Sequence, residues 1–210
     1  MEIAILVFDQ MTALDAIGPF DVLKFLPGAK VHLVSAFPGP ITLNGSTTAL
    51  LPQNARDAFP HPDVLVVPGG PGISKLMEDQ NLLDWIAKVH EITQWTTAVC
   101  TGSLLLGKAG LLQGKRATSH WMALEKLRGL GAQPVQDRVV RDGKLITAAG
   151  VSAGIDMALS LAGLLCGDTV AQTIQLAIEY DPQPPYQAGS PQKAPAQIRD
   201  SLLAKVEACS

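Results

Sequence analysis

The sequence has little charge and no basic cluster. Charged residues make up 17% of its 210 residues, and the formal net charge is -3. Lys115 and Arg116 are the only two basic residues that stand next to each other. Because proteins that bind phosphate backbones carry clustered Lys and Arg, we expect no nucleic acid partner.

Cysteine is scarce, and the usual metal and phosphate motifs are missing. Cys100, Cys166 and Cys209 stand far apart, which is typical of a reducing compartment and not of a disulfide framework. No pair of His, Cys or acidic residues has structural-metal spacing, and no dinucleotide or Walker glycine pattern occurs. We therefore expect no metal and no cofactor.

The N-terminus lacks the basic region of a secretory signal. The apolar run 3–8 predicts a buried first strand instead. The stretch 148–167 is long and apolar, but it contains Asp156 and several glycines, so we predict a buried helix and no membrane span. These features favour a cytoplasmic protein.

Apolar runs of strand length alternate with segments of helical spacing. The predicted strands cover 3–8, 31–37, 63–68, 96–99, 135–140 and 144–148. The predicted helices cover 14–26, 73–92, 103–112, 151–165 and 169–180. This alternation predicts a three-layer α/β domain with a mainly parallel sheet.

Two hairpins and a tail complete the prediction. Asn44-Gly45 indicates a hairpin over 41–51 at the edge of the sheet, and Asp142-Gly143 indicates a second hairpin. Residues 1–180 are expected to form the α/β domain. Residues 181–210 are expected to form a proline-rich arm and a terminal helix, and not a separate domain.

Cys100 is the strongest candidate for chemistry. Only Cys100, Thr101 and Gly102 separate a predicted strand from a predicted helix, which indicates the sharp turn of a nucleophile elbow. The helix N-terminus is expected to favour the thiolate. The alternative is that Cys100 is a small buried hydrophobic residue. Cys166 is expected in the core and Cys209 in the tail.

Two further segments follow predicted strands and therefore face the same edge of the sheet. Asp15 could hold or deliver a proton there, or it could simply cap a helix. Gly69 and Gly70 could offer backbone N–H groups to a developing negative charge, or they could form a plain turn. His120 is the only histidine that follows Cys100 in the chain, and it is given no role.

Taken in order, these motifs resemble the ThiJ/PfpI superfamily, whose class I glutamine-amidotransferase-like fold is a flavodoxin-like three-layer α/β/α sandwich. The similarity runs from Met1 to about Tyr180, and it is greatest to the isocyanide hydratases. The proline arm at 184–191 resembles the tail of that subgroup. The matching stretches are 14–19, 68–70, 99–103, 111–118, His120-Trp121 and 153–156.

Other branches of the superfamily differ at the site. Glutamine amidotransferases carry a His-x-Glu after the cysteine, which is absent here. Peptidase-like and glyoxalase-like members have His after the cysteine and Glu in the early helix, where this sequence has Thr101 and Asp15. The sensor domains of AraC-type regulators share the 114–121 region, but no helix-turn-helix pattern follows it here.

The resemblance implies a homodimeric enzyme that hydrates an isocyanide to an N-substituted formamide without a cofactor. Cys100 would add to the isocyanide carbon as a thioimidate, and Asp15 would move the protons. The resemblance also implies three supporting groups: Thr101 bonded near the sulfur or Asp15, the N–H groups of Gly69 and Gly70, and a helix beginning at Val151. The alternatives are redox or stress sensing through an oxidisable Cys100, or a glyoxalase or amidase activity.

Overall fold

The fold is organised around one sheet of seven short strands. The computed structural model describes residues 1–37, 39–52, 54–59 and 61–207. Its strands are β1 (Glu2–Val7), β2 (Lys30–Ser35), β5 (Asn54–Ala55), β6 (Val64–Val67), β7 (Trp95–Val99), β10 (Val139–Asp142) and β11 (Leu145–Ala148). They lie in the order β10-β11-β7-β6-β1-β2-β5, and only β10 is antiparallel to its neighbour.

Helices form a layer on each side of this sheet. The helices are α1 (Ala13–Leu23), α2 (Ile73–Leu76), α3 (Gln80–Ile92), α4 (Gly102–Lys108), α5 (Leu124–Gly129), α6 (Ala153–Cys166) and α7 (Asp168–Ala177). In one layer α1 packs against α6 and α6 against α7, whereas in the other α4 packs against α2, α3 and α5. The predicted flavodoxin-like three-layer α/β/α sandwich with a mainly parallel sheet is confirmed.

Burial of both sheet faces explains the apolar runs of the central strands. Every residue of β6, β7 and β11 is buried, as is all of β1 except its first residue. Because β1, β6, β7 and β11 run parallel, their carboxyl ends meet at one edge of the sheet. The segments that follow them, at 8–12, 68–72, 100–101 and 149–152, therefore converge there.

The hairpin predicted over 41–51 forms, but its predicted place at the edge of the sheet is wrong. β3 (Ile41–Thr42) and β4 (Ala49–Leu50) pair with each other in a separate two-stranded sheet. This hairpin is instead bonded to the segment after β1, where the Gln10 N–H donates to the Thr42 carbonyl at 2.8 Å. One edge of the main sheet is β5, which is too short to leave a pattern in the sequence.

Other differences are local. The helical segment predicted over 73–92 is divided into α2 and α3, because Asp79 accepts the Leu82 N–H at 3.2 Å and begins a new helix. A third small sheet pairs β8 (Arg116–Ala117) with β9 (Gln133–Pro134), and neither strand was predicted. The Asp142-Gly143 hairpin connects β10 and β11 as expected.

The chain divides into two compact units, Met1–Ile178 and Glu179–Ser210. Within the second unit, α8 (Ala196–Glu207) exposes Ile198, Leu202 and Val206. Cys209 lies outside the described residues, so its place in the tail stays a prediction. Among the described residues, no helix is long and apolar enough to cross a membrane, and no three potential ligands are grouped for a metal ion.

Candidate active site

Cys100 occupies a tight turn between β7 and α4. Its φ angle is +56°, in the left-handed region that residues other than glycine rarely adopt. Its N–H group is shared between the carbonyl oxygens of Ala148 and Ala149, at 3.1 Å from each. The side chain is only 5% exposed. The sharp turn expected from the sequence is present, and hydrogen bonds from the neighbouring strand end hold it in place.

Two buried hydroxyl groups also fix the backbone of Cys100. Ser103 Oγ and Ser119 Oγ donate to the Cys100 carbonyl oxygen at 3.1 Å and 3.0 Å. Both serines are almost fully buried. Sequence reasoning missed both residues, and Ser119 carries no local motif because it comes from a distant segment of the chain.

Asp15 is fully buried in the first turn of α1. Its Oδ2 atom accepts the Gly69 N–H at 2.9 Å. Thr12 is the residue before the first turn of α1, so Asp15 is not the helix cap that the sequence left open. The Oδ1 atom has no hydrogen-bond partner among the described residues. Oδ2 is therefore fixed by a hydrogen bond, whereas Oδ1 is available to accept one.

The side chains of Asp15 and Cys100 influence each other's ionisation. Burial raises the pKa of Asp15 to about 7, although the Gly69 N–H and the Cys100 side chain oppose that rise. Burial also raises the pKa of Cys100 to about 12, and the charge of Asp15 adds to it. At neutral pH the sulfur therefore keeps its proton, while the Asp15 carboxyl group titrates in the neutral range.

The helix start favours the Cys100 thiolate as the sequence predicted, but it does not outweigh burial and the Asp15 charge. The backbone N–H groups of Thr101 and Val151 do lower the pKa of Cys100, as expected for donors at a helix start. Desolvation of the sulfur and the nearby Asp15 carboxylate have the larger effect. Asp15 is the ionisable group whose charge and hydrogen bonding act on the sulfur.

Gly69 and Gly70 interact with the protein instead of leaving their N–H groups free. The Gly69 N–H is bonded to Asp15, and the Gly70 N–H donates to Thr101 Oγ1 at 2.9 Å. Their expected role as open donors is therefore not supported. The expected bond from the Thr101 hydroxyl to the sulfur or to Asp15 is likewise replaced by this contact with Gly70.

The close contact between these two turns requires glycine at position 69. A Cβ atom there would lie 2.5 Å from the Thr101 nitrogen and 3.0 Å from Asp15 Oδ2. Any side chain would push Asp15 and the Cys100 turn apart. The Gly69-Gly70 segment therefore holds the site together, a role beyond that of a plain turn.

Val151 and His120 border the site on the α6 side. Val151 lies just before α6, which begins at Ala153 and not at Val151 as expected, and its φ angle is +38°. The His120 ring packs against Gly150, since a Cβ atom on that glycine would lie 2.7 Å from His120 Cδ2. Burial lowers the pKa of His120, which favours the neutral form of the ring.

Comparison with known proteins agrees with this geometry. Residues 1–163 match the DJ-1/PfpI family. The chain is 49% identical to an isonitrile hydratase of Pseudomonas putida, over 95% of this chain and 87% of that protein.

Comparison with solved structures points to the same family. A THiJ/PfpI family protein from Pseudomonas syringae superposes with a TM-score of 0.94 at 40% identity, covering 98% of this chain and 86% of that one. DJ-1beta of Drosophila melanogaster superposes with a TM-score of 0.77 at 25% identity, covering 85% of this chain and 97% of that one. This chain belongs to the DJ-1/PfpI family.

Proposed function

We propose that this protein is an isocyanide hydratase, which converts R–N≡C and water into an N-substituted formamide. The observation that carries the proposal is the buried pair of Asp15 and Cys100, with a protonated thiol beside a carboxylate that titrates near neutral pH. The similarity to the Pseudomonas putida isonitrile hydratase supports the substrate class.

The first step forms a bond between sulfur and carbon. The terminal carbon of an isocyanide has no leaving group, so it must gain both a nucleophile and a proton. The Asp15 carboxylate takes the Cys100 proton, the sulfur attacks the terminal carbon, and Asp15 delivers the proton to that same carbon. The product is a thioimidate, R–N=CH–S–Cys100, and Asp15 is again ionised.

The second step hydrolyses the thioimidate. Asp15 takes a proton from water while the water oxygen adds to the carbon, and that proton passes to the nitrogen. The C–S bond of the tetrahedral adduct then breaks, its hydroxyl proton returns to the sulfur by way of Asp15, and the formamide leaves. Asp15 Oδ1 is the oxygen suited to these transfers, because Oδ2 is held by Gly69.

Backbone donors stabilise the sulfur when its proton is removed. The N–H groups of Thr101 and Val151 favour the thiolate form of Cys100. They therefore lower the energy both of the attacking sulfur and of the sulfur that leaves the tetrahedral adduct. The Thr101 side chain supports this arrangement indirectly through Gly70.

The alternative activities have less support. Redox sensing uses an oxidisable thiolate, and the raised pKa of Cys100 keeps the thiolate scarce at neutral pH. The glyoxalase-like and peptidase-like branches have a histidine after the cysteine, where this chain has Thr101. No feature of the described residues favours either activity over hydration.

We also propose that the protein is a cytoplasmic homodimer and that its C-terminal unit contributes to the interface. In α8, Ile198, Leu202 and Val206 recur at helical spacing and are exposed, which is typical of a surface that packs against another. Deleting residues 181–210 should weaken dimerisation and lower activity together. Light scattering of the truncated protein checks this, and a full dimer at nanomolar concentration would contradict it.

Incubation with an aromatic isocyanide tests the main proposal. Formation of the matching formamide, followed by chromatography, should depend on enzyme concentration and saturate with substrate. Cys166→Ala is the matched control, because it removes a half-buried thiol at the end of α6 and should retain activity. If no formamide forms above the uncatalysed rate with any isocyanide tried, the proposed function is wrong.

A further inference from the structure

Arg138 holds the start of α6 from outside the candidate site. Its Nε and Nη2 atoms donate to Asp156 Oδ2 at 2.8 Å and 2.5 Å, and Nη2 also donates to Ser152 Oγ at 3.3 Å. Asp156 is in the first turn of α6, and Ser152 is the residue before that helix. One guanidinium group thus joins two positions around the start of the helix.

The backbone of Arg138 is connected to the same segment. Its carbonyl oxygen accepts the Ala149 N–H at 2.9 Å, and the Ala149 carbonyl accepts the Cys100 N–H at 3.1 Å. Arg138 therefore fixes Ala149 by its backbone and Ser152 by its side chain. Two hydrogen bonds in series lead from Arg138 to the Cys100 turn.

Val151 lies between Ala149 and Ser152, the two residues that Arg138 holds. A φ angle of +38° is unusual for a β-branched residue, and such a conformation persists only where the surroundings enforce it. The Val151 N–H is one of the two backbone donors that favour ionised Cys100. On the helix side, the Gly154 N–H also holds the Val151 carbonyl, at 3.3 Å, so Val151 depends on the first turn of α6. Release of Ser152 and Asp156 would loosen that turn, and the Val151 N–H would then turn away from the sulfur.

We propose that Arg138, acting with Asp156, is a positioning residue that keeps the Val151 N–H directed at the Cys100 sulfur. The geometric part of this inference stands alone, and its catalytic consequence rests on the proposed function. Arg138 acts through Val151 and does not touch the reacting atoms. Its loss should make Cys100 harder to ionise and should slow hydration in the same proportion.

Two substitutions distinguish an effect through the position of Val151 from a direct effect of charge on the pKa of Cys100. Arg138→Met removes a positive charge, which by Coulomb attraction alone would raise the pKa of Cys100. Asp156→Ala removes a negative charge, which by charge alone would lower that pKa. If the ion pair acts by positioning Val151, both substitutions raise the pKa of Cys100, because each releases the start of α6.

The experiment measures alkylation of Cys100 by iodoacetamide between about pH 7 and pH 10, followed by intact mass in the full-length protein. Arg138→Met and Asp156→Ala should each slow alkylation by about three- to tenfold, which corresponds to about half to one unit in pKa. Arg138→Lys keeps the charge but loses the two-nitrogen contact, and it should show a smaller decrease. Arg128→Met and Glu125→Ala break an exposed ion pair on α5 and should change nothing.

The outcomes are distinct. If Asp156→Ala alkylates as fast as the wild type or faster, Arg138 acts only by its charge and the inference is wrong. If the two main variants do not fold, Arg138→Lys decides, and an unchanged alkylation rate in that variant overturns the inference. Hydration is assayed in parallel with Cys100→Ala. Absence of formamide formation in the wild type would refute the proposed function, and activity retained in Cys100→Ala would refute its covalent mechanism. Neither result affects the alkylation measurement.

Discussion

The polar groups at the two ends of the central strands differ in how fully they are hydrogen-bonded. At the amino ends of β7 and β11, Lys144 Nζ donates to the carbonyl oxygens of His90, Glu91 and Thr93, where α3 ends. Thr96 Oγ1 is bonded to His90 Nδ1 at 2.9 Å and to Thr93 Oγ1 at 2.8 Å. These contacts complete the hydrogen bonding of a helix end and a strand start.

At the amino end one buried atom, Trp95 Nε1, lacks a partner among the described residues, whereas the carboxyl ends combine such an atom with strained backbone. Asp15 is fully buried and leaves Oδ1 without a partner among the described residues. Cys100 and Val151 both have positive φ angles. Buried groups that lack partners and strained backbone reduce stability, so they persist where function needs them. We infer that the contacts at the amino end stabilise the fold, whereas the groups at the carboxyl end lower its stability and serve reactivity.

Replacing the Cys100 thiol should give the largest loss of activity, and it should therefore distinguish the carboxyl end from the amino end most clearly. Cys100→Ala should lower kcat by at least about a thousandfold, because the covalent step has no other nucleophile. Its melting temperature should stay close to that of the wild type. Steady-state hydration and thermal melting check this, with Cys166→Ala as the control. A Cys100→Ala enzyme of wild-type rate would remove the distinction between the ends.

Replacing the carboxylate should cost activity and gain stability. Asp15→Asn should lower kcat/KM by about two to four orders of magnitude, because a general acid–base group is lost. A decrease of less than about threefold would leave Asp15 a structural role only.

The stability of this variant depends on pH. Folding raises the pKa of Asp15 from its ordinary 3.8 to about 7, so the folded protein holds a proton that the unfolded chain has released in between. Stability therefore falls as the pH rises through that interval, and the full cost is present above it. At about pH 8, Asp15→Asn should be about 1–3 kcal/mol more stable than the wild type, and this gain should disappear near pH 4. Urea unfolding at both pH values checks this.

Activity should follow the ionisation of the pair. Below the pKa of Asp15, which is about 7, the pair holds two protons and lacks a base. The rate constant kcat/KM should therefore rise about tenfold per pH unit in the acid range and become level above pH 7. A profile that is flat from pH 5 to pH 8 would show that Asp15 is not the base.

A substitution at the amino end should have the smallest effect on activity. Thr96→Val removes the hydroxyl that is bonded to His90 and Thr93, and it should cost about 1–3 kcal/mol in the free energy of unfolding. Hydration should change by less than about twofold. Thr173→Val, which removes an exposed hydroxyl on α7, is the matched control and should change neither quantity. A large loss of activity in Thr96→Val would show that the two ends are coupled.

Most of the fold could be predicted from local patterns. The runs 3–8 and 63–68 are apolar on both faces, which is typical of a covered parallel strand, and they correspond to β1 and β6. The edge strand β5 could not be predicted, because two residues carry no periodicity. The placement of the hairpin depended on hydrogen bonds to the segment after β1, which lies far away in sequence.

The site was only partly predictable for related reasons. The approach of Asp15 to Cys100 follows from topology, since the carboxyl ends of parallel strands share an edge. The direction of the Cys100 pKa did not follow, because helix starts are visible in a sequence and desolvation is not. The hydrogen bond from Ser119 Oγ to the Cys100 carbonyl and the one from the Gly70 N–H to Thr101 Oγ1 join residues that are far apart in the sequence. No spacing rule encodes such contacts.

The central claim is that Cys100 forms a covalent thioimidate with an isocyanide. Its most direct test is intact-mass measurement on enzyme quenched with acid during turnover of an aromatic isocyanide, followed by peptide mapping. We predict a mass increase equal to the whole isocyanide, located on the peptide that contains Cys100. The adduct should be absent in Cys100→Ala and strongly reduced in Asp15→Asn, because Asp15 moves the proton in the step that forms it. Formamide production without any adduct in the wild type, and unchanged in Cys100→Ala, would contradict the account.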